Sequence, residues 1–177
     1  MPKPPSLLSE LELGSYLRYS PNGVSEVSRR SREWRSAVKA AKPDWIGLAL
    51  DQLQEALQGS GLGRFLGPDV TLVPAPRSAP LSEPAALWPS RMICEELVTR
   101  RLGKEVVACL ERTEAVPKSA YAEKGGRPTA ERHLETMRLE RALFPPRRIT
   151  VVDDIVNGRT LLAAASRQVS VKTRSRR

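Results

Sequence analysis

Histidine is nearly absent from this chain. There is one, His133, among 177 residues, together with two cysteines and an aromatic share of 5%. Cys94 and Cys109 each lie in an apolar segment, and neither belongs to a CxxC pair. They read as buried free thiols rather than as a disulfide or a metal site. A lone histidine reads more readily as a surface or loop residue than as a catalytic base. No uninterrupted apolar run reaches the ~18 residues of a transmembrane helix. The opening MPKPPSLLSE lacks the charged start and apolar stretch of a secretory signal, so the expected location is the cytoplasm, with no membrane partner. No internal repeat is visible.

Positive charge is plentiful. The 29 Lys and Arg against 20 Asp and Glu give a net charge of +9. Such a balance suits an anionic partner, either a polyphosphate ligand or nucleic acid on a basic surface, although it also describes a solvated exterior. The apolar share of 40% is enough for a core, and the length suits one main domain with a small appendage.

Along the chain, residues 1–8 are Pro-rich and 9–66 look helical. In VSEVSRRSREWRSAVKAAK, residues Val27, Trp34, Val38 and Ala41 fall near one face. Arg29, Arg30, Arg32, Arg35 and Lys39 fall mostly elsewhere and read as a solvated face. A second helix fits DWIGLALDQLQEAL, with Asp44 as N-cap and Ile46, Leu50, Leu53 and Leu57 as its stripe. Trp34, Trp45 and Trp88 read as packing residues rather than base-stacking platforms. Beyond 66 the texture changes. VTLVPAP is a short strand stopped by its prolines, and PSRMICEELVTRRLG is a helix with Ile93, Cys94, Leu97 and Val98 inward and Gly103 as its stop. EVVACL is a second strand, residues 111–146 carry no assignment, RITVV is a third strand, and GRTLLAAASRQ opens a helix. Apolar strands alternating with helices predict an α/β fold on an open, mainly parallel sheet. The strands 70–73, 105–110 and 149–152 should be parallel neighbours.

The chemistry concentrates in RRITVVDDIVNGRT. Asp153 and Asp154 stand together at the carboxyl end of a buried strand, where ligands collect in open α/β sheets. Gly158 permits a tight turn, and the N–H groups of Asn157, Gly158, Arg159 and Thr160 are placed to converge on an anion at a helix start. Acceptors for sugar hydroxyls beside donors for a phosphate suit a ribose 5-phosphate.

ITVVDDIVNGRTL resembles the signature of type I phosphoribosyltransferases. TLVPAPRS resembles their first strand and diphosphate loop. SRMICEELVTRRLG, CLERTEAVPKSA and GRPTAERHLETM follow the order of the ComF-like branch. The resemblance spans about residues 69–165. It implies a phosphoribosyltransferase-like domain over 67–171, a helical hood over 1–66 that selects the acceptor, and a basic tail over 172–177. It further implies that Asp153 and Asp154 contact the ribose hydroxyls of phosphoribosyl pyrophosphate (PRPP), and Mg2+ through water or the ribose. Asn157 to Thr160 would hold the 5-phosphate. Ala75, Pro76, Arg77 and Ser78 would meet the diphosphate and its Mg2+. A mobile loop around 112–132 would close over the site, with Arg112, Lys118, Arg127 and His133 as contacts to diphosphate or base. The implied activity is transfer of phosphoribose to or from a nitrogenous base, with Asp153, Asp154 and Arg77 as the catalytic set. The chain departs from the family in a phosphate loop one residue shorter than the usual Thr-Thr-Gly-Ala-Thr, in having no N-terminal cysteine set, and in stopping soon after LLAAASRQ. The alternatives are a non-catalytic nucleotide-binding regulator and a nucleic-acid-associated protein of competence or defence. Homo-oligomer formation is left open.

Overall fold

The computed structural model describes residues 12–17, 19–77, 79–80, 87–116, 129–140 and 148–155. Ser78, Lys118, Arg127, Asn157, Gly158, Arg159, Thr160 and the helix expected after them lie outside the described residues.

The chain begins with two helices, α1 (Glu26–Lys39) and α2 (Pro43–Ser60). Ser25 caps α1, its hydroxyl accepting from the Ser28 N–H. The link between the helices is a Schellman turn, in which the Lys42 N–H bonds the Ala37 carbonyl and Ala41 takes a left-handed φ of 51°. Pro43 rather than Asp44 starts α2, because a proline at the first helical position gives up an N–H that has no partner there. Ile46, Leu50 and Leu53 are buried as the stripe requires, with Leu57 packed beside them. On α1 the buried apolar position is Ala37. Val27, expected inward, is 77% exposed. The period of α1 is legible in its sequence, but the length of it that a neighbour covers is not. Trp34 and Trp45 join the two helices edge to face at 5.0 Å.

The sheet is α/β in character. Three parallel strands run in the order β2 (Glu105–Val106), β1 (Thr71–Pro74) and β5 (Ile149–Val152). The first and third apolar runs are strands as expected, and the second is divided. The Val107 N–H still bonds the Leu72 carbonyl, but the Cys109 N–H then folds back onto the Val107 carbonyl. The chain leaves the sheet there, and β3 (Leu110–Arg112) pairs antiparallel with β4 (Met137–Leu139). A continuous apolar run shows burial, not the number of residues that stay in one sheet. α4 (Ala130–Glu135), capped by Thr129, precedes β4 within the unassigned segment.

Pro74 is tolerated in a central strand because of where its nitrogen falls. Thr71 and Ala75 donate to β5, so Leu72 and Pro74 turn their nitrogens toward β2, which has ended by that level. The two faces of the sheet bury different residues. Val70 and Leu72 pack with α2 and with Cys94 and Leu97 of α3 (Pro89–Thr99), whereas Val73 packs with Cys109, Leu110, Ile149 and Val151.

α3 ends on a second Schellman turn, with Leu102 N–H bonded to the Leu97 carbonyl and Arg101 at φ 60°. Gly103, expected as the helix stop, serves another purpose. A Cβ there would lie 2.5 Å from Leu72 Cδ1, so the backbone passes against β1 only because the side chain is missing.

Candidate ligand site at the carboxyl edge of the sheet

Two loops meet where β1 and β5 end. The Ala75 N–H donates to the Val152 carbonyl at 2.7 Å, which sets the loop after β1 level with Asp153. The Ala75 carbonyl accepts from Trp88 Nε1 and from Ser90 Oγ, both at 2.8 Å. The start of α3 therefore holds the loop from one side and β5 from the other. Pro76 is buried, and Arg77 is half-buried with its Nη2 donating to the Pro80 carbonyl at 2.6 Å.

The acid pair follows at once after β5. The Asp154 N–H donates to Asp153 Oδ1 at 2.9 Å, so the two side chains share one turn of backbone. Burial, and then the Asp154 charge beside it, pushes the Asp153 carboxyl up to about 8. The pair therefore favours holding a proton, with Asp153 the carrier that its burial favours. Asp154 has another partner: Lys39 Nζ lies 2.9 Å from its Oδ1 and 2.7 Å from its Oδ2. Lys39 ends α1, a position where a cation also offsets the negative end of the helix. The Asp154 side chain is 7% exposed and that of Lys39 46%. The charge pair thus has its acid inside and its base at the rim.

The edge presents two adjoining carboxyl groups, one of them favouring its protonated form, and one ammonium, with the Arg77 loop alongside. Such a set can both donate to and accept from a polyol, and it carries cations for an anion. Mg2+ is commonly held by one or two carboxylates, water and the ligand's own phosphates. The pair fits that role through water or a ligand. It is not a self-sufficient metal cage, since Lys39 faces both Asp154 oxygens. Among the described residues no group of three or more His, Cys, Asp or Glu is arranged to hold an ion.

Arg112 is placed elsewhere. The residue is 4% exposed and its guanidinium lies against α4, donating from Nη1 to Thr136 Oγ1 (2.7 Å) and to the His133 carbonyl (3.3 Å), and from Nη2 to His133 Nδ1 (2.9 Å). A guanidinium only donates, so Nδ1 accepts and the imidazole proton sits on Nε2. Burial pushes Arg112 down to about 10, and burial with the Arg112 charge pushes His133 down to about 4. His133, read from the sequence as a surface or loop residue, is 5% exposed. Its position in a six-residue helix beside a buried arginine has no local sequence signal. Lys39 was missed for a similar reason. Its partner lies 115 positions away, and a helix-terminal lysine reads as solvated.

Cys94 and Cys109 are buried and free, and burial pushes the Cys94 thiol up to about 12. Among the described residues no helix is long and apolar enough to cross a membrane. No family model, curated protein or solved structure matches this chain.

Proposed function

We propose that the carboxyl edge of the sheet binds PRPP or a nucleoside phosphate and that the protein transfers phosphoribose to or from a nitrogenous base, as a glycosyltransferase of the phosphoribosyltransferase kind. The observation that carries this reading is the Ala75–Val152 hydrogen bond, which brings the Pro76–Arg77 loop and the Asp153–Asp154 pair to one edge. In this reading Asp154 accepts from the ribose hydroxyls, and protonated Asp153 supplies a donor beside it. Arg77 faces the diphosphate and stabilises the charge that develops on it as it leaves C1. Magnesium, when bound with the ligand, would neutralise diphosphate oxygens. The exposed Arg29 and Arg30 on α1 also suit nucleic acid, but Glu26 and Glu33 line the same ≈ 380 Å³ depression and weaken that second reading.

Calorimetric titration with PRPP and with ribose 5-phosphate, each with Mg2+, tests the proposal. Asp154→Asn should weaken both ligands by roughly ten- to a hundred-fold, the cost of one charge-assisted hydrogen bond. Arg77→Ala should weaken PRPP more than ribose 5-phosphate, since only PRPP carries the diphosphate. Thr160→Ala should weaken both. Failure of the unaltered protein to bind either ligand at millimolar concentration sinks the reading. Nucleic acid bound instead, and released steeply by salt, would replace it.

A further inference from the structure

We infer that Lys39 is a ligand-binding residue of the carboxyl-edge site, through which the hood helix α1 selects a sugar that carries an anionic group over the same sugar without one. The inference deepens the sugar-phosphate reading above and rests on it.

Three observations carry it. Lys39 Nζ spans both oxygens of Asp154 at 2.9 and 2.7 Å, so the ammonium stands wherever a hydroxyl bound by Asp154 must also stand. An ammonium has three donors. One donates to Asp154 Oδ1 while Oδ2 lies within ion-pair distance, and with the side chain 46% exposed against 7% for Asp154, the ammonium keeps a donor for the mouth of the site. The position is also fixed. Lys39 is two residues from the Schellman turn at Ala41, which is buried, and α1 is joined to α2 by the Trp34–Trp45 contact. A lysine that served only to neutralise Asp154 would bring its charge to the same edge, but it would gain nothing from an anionic ligand. A lysine with a donor to spare beside a hydroxyl-binding carboxylate meets any phosphate attached to that sugar. The phosphate is either the 5-phosphate or the diphosphate, and the two are separable by ligand.

The test uses the full chain and calorimetric titration with ribose, ribose 5-phosphate, inorganic pyrophosphate and PRPP, the last three with Mg2+. Lys39→Met should weaken at least one phosphorylated ligand ten-fold or more and leave ribose unchanged. Lys39→Arg, which keeps a cation and its donors, should recover most of the loss. A loss seen with ribose 5-phosphate assigns Lys39 to the 5-phosphate, and one confined to pyrophosphate and PRPP assigns it to the diphosphate. The same substitution in an Asp154→Asn background decides between contact and mere neutralisation. Direct contact gives a further loss there, and neutralisation gives none. That background also removes the unpaired buried carboxylate, so the doubly altered protein remains measurable if Lys39→Met alone unfolds. Equal or tighter binding of every phosphorylated ligand by Lys39→Met, or no further loss in the Asp154→Asn background, overturns the inference while leaving the sugar-phosphate reading intact. No binding of any phosphorylated ligand by the unaltered chain overturns both.

Discussion

Two regions of this molecule bury charge, and they do it in opposite ways. Beneath α4, Arg112 is enclosed by neutral acceptors: an imidazole nitrogen, a threonine hydroxyl and a carbonyl. At the carboxyl edge, Asp154 is answered by a full opposite charge on Lys39, and Asp153 escapes charge by keeping a proton. The first cluster is closed, with the two Nη groups of the guanidinium committed to α4 and Thr136 at its end, and Nε buried without a hydrogen bond. The second lies at a strand end with half of its counter-ion in water. Neutral acceptors arranged around an arginine fix a packing. An ion pair open on one side can exchange partners with a ligand. The contrast identifies the edge, rather than the better-buried arginine, as the place where binding is to be sought.

The strongest way to break this comparison is to remove Arg112. Arg112→Ala would leave His133 and Thr136 without their donor and open space beneath α4. A loss of about 2–4 kcal/mol in denaturant unfolding is expected, from acceptors left unpaired and the space left behind. If the loss is under about 1 kcal/mol, the arginine is not structural and belongs among the ligand-site candidates.

A smaller effect should appear on acidification. His133 is held neutral when folded, with its value near 4 against about 6.5 when unfolded. Between those values the unfolded chain binds the extra proton, so stability is full above about 6.5 and falls as pH drops toward 4. Thermal melts across that range should show the fall, and His133→Gln should flatten it. A flat profile in the unaltered protein would mean that His133 is charged, with its ring turned away from Arg112.

The acid pair has the reverse sign. Burial and the neighbouring Asp154 make Asp153 hold its proton to higher pH when folded than when unfolded, so its burial lowers stability as pH rises above the ordinary carboxylate range. Asp153→Asn should therefore be more stable than the unaltered chain at pH 8 and close to it at pH 4. A variant destabilised at pH 8 would show Asp153 to be a charged partner of Lys39 rather than a protonated neighbour.

The smallest effect expected is chemical. With its thiol pushed up to about 12 by burial, Cys94 should react with iodoacetamide only as fast as the chain opens.

What the sequence revealed and what it hid divide along one physical line. β1, β5, the stripe of α2 and the placing of Asp153–Asp154 at a strand end are all written in periodicity and local composition. Each expresses which side of an element is covered. The features that were not legible depend on which residues meet across the chain. Lys39 finds Asp154 only once α1 and β5 are packed. His133 becomes a core residue only because Arg112 lies under it. Gly103 is fixed by Leu72 rather than by the helix it follows, and the apolar run 105–110 gives no sign of the fold-back at Cys109.

The bond from Trp88 Nε1 to the Ala75 carbonyl has a practical consequence. An indole whose N–H is tied to the first carbonyl of a ligand loop is an optical gauge of that loop. The chain has three tryptophans, and the other two, Trp34 and Trp45, meet edge to face between α1 and α2. With both of these replaced by phenylalanine, the emission left would come from Trp88 alone. Its wavelength would then report any movement of the Arg77 loop, without a label and in the intact chain.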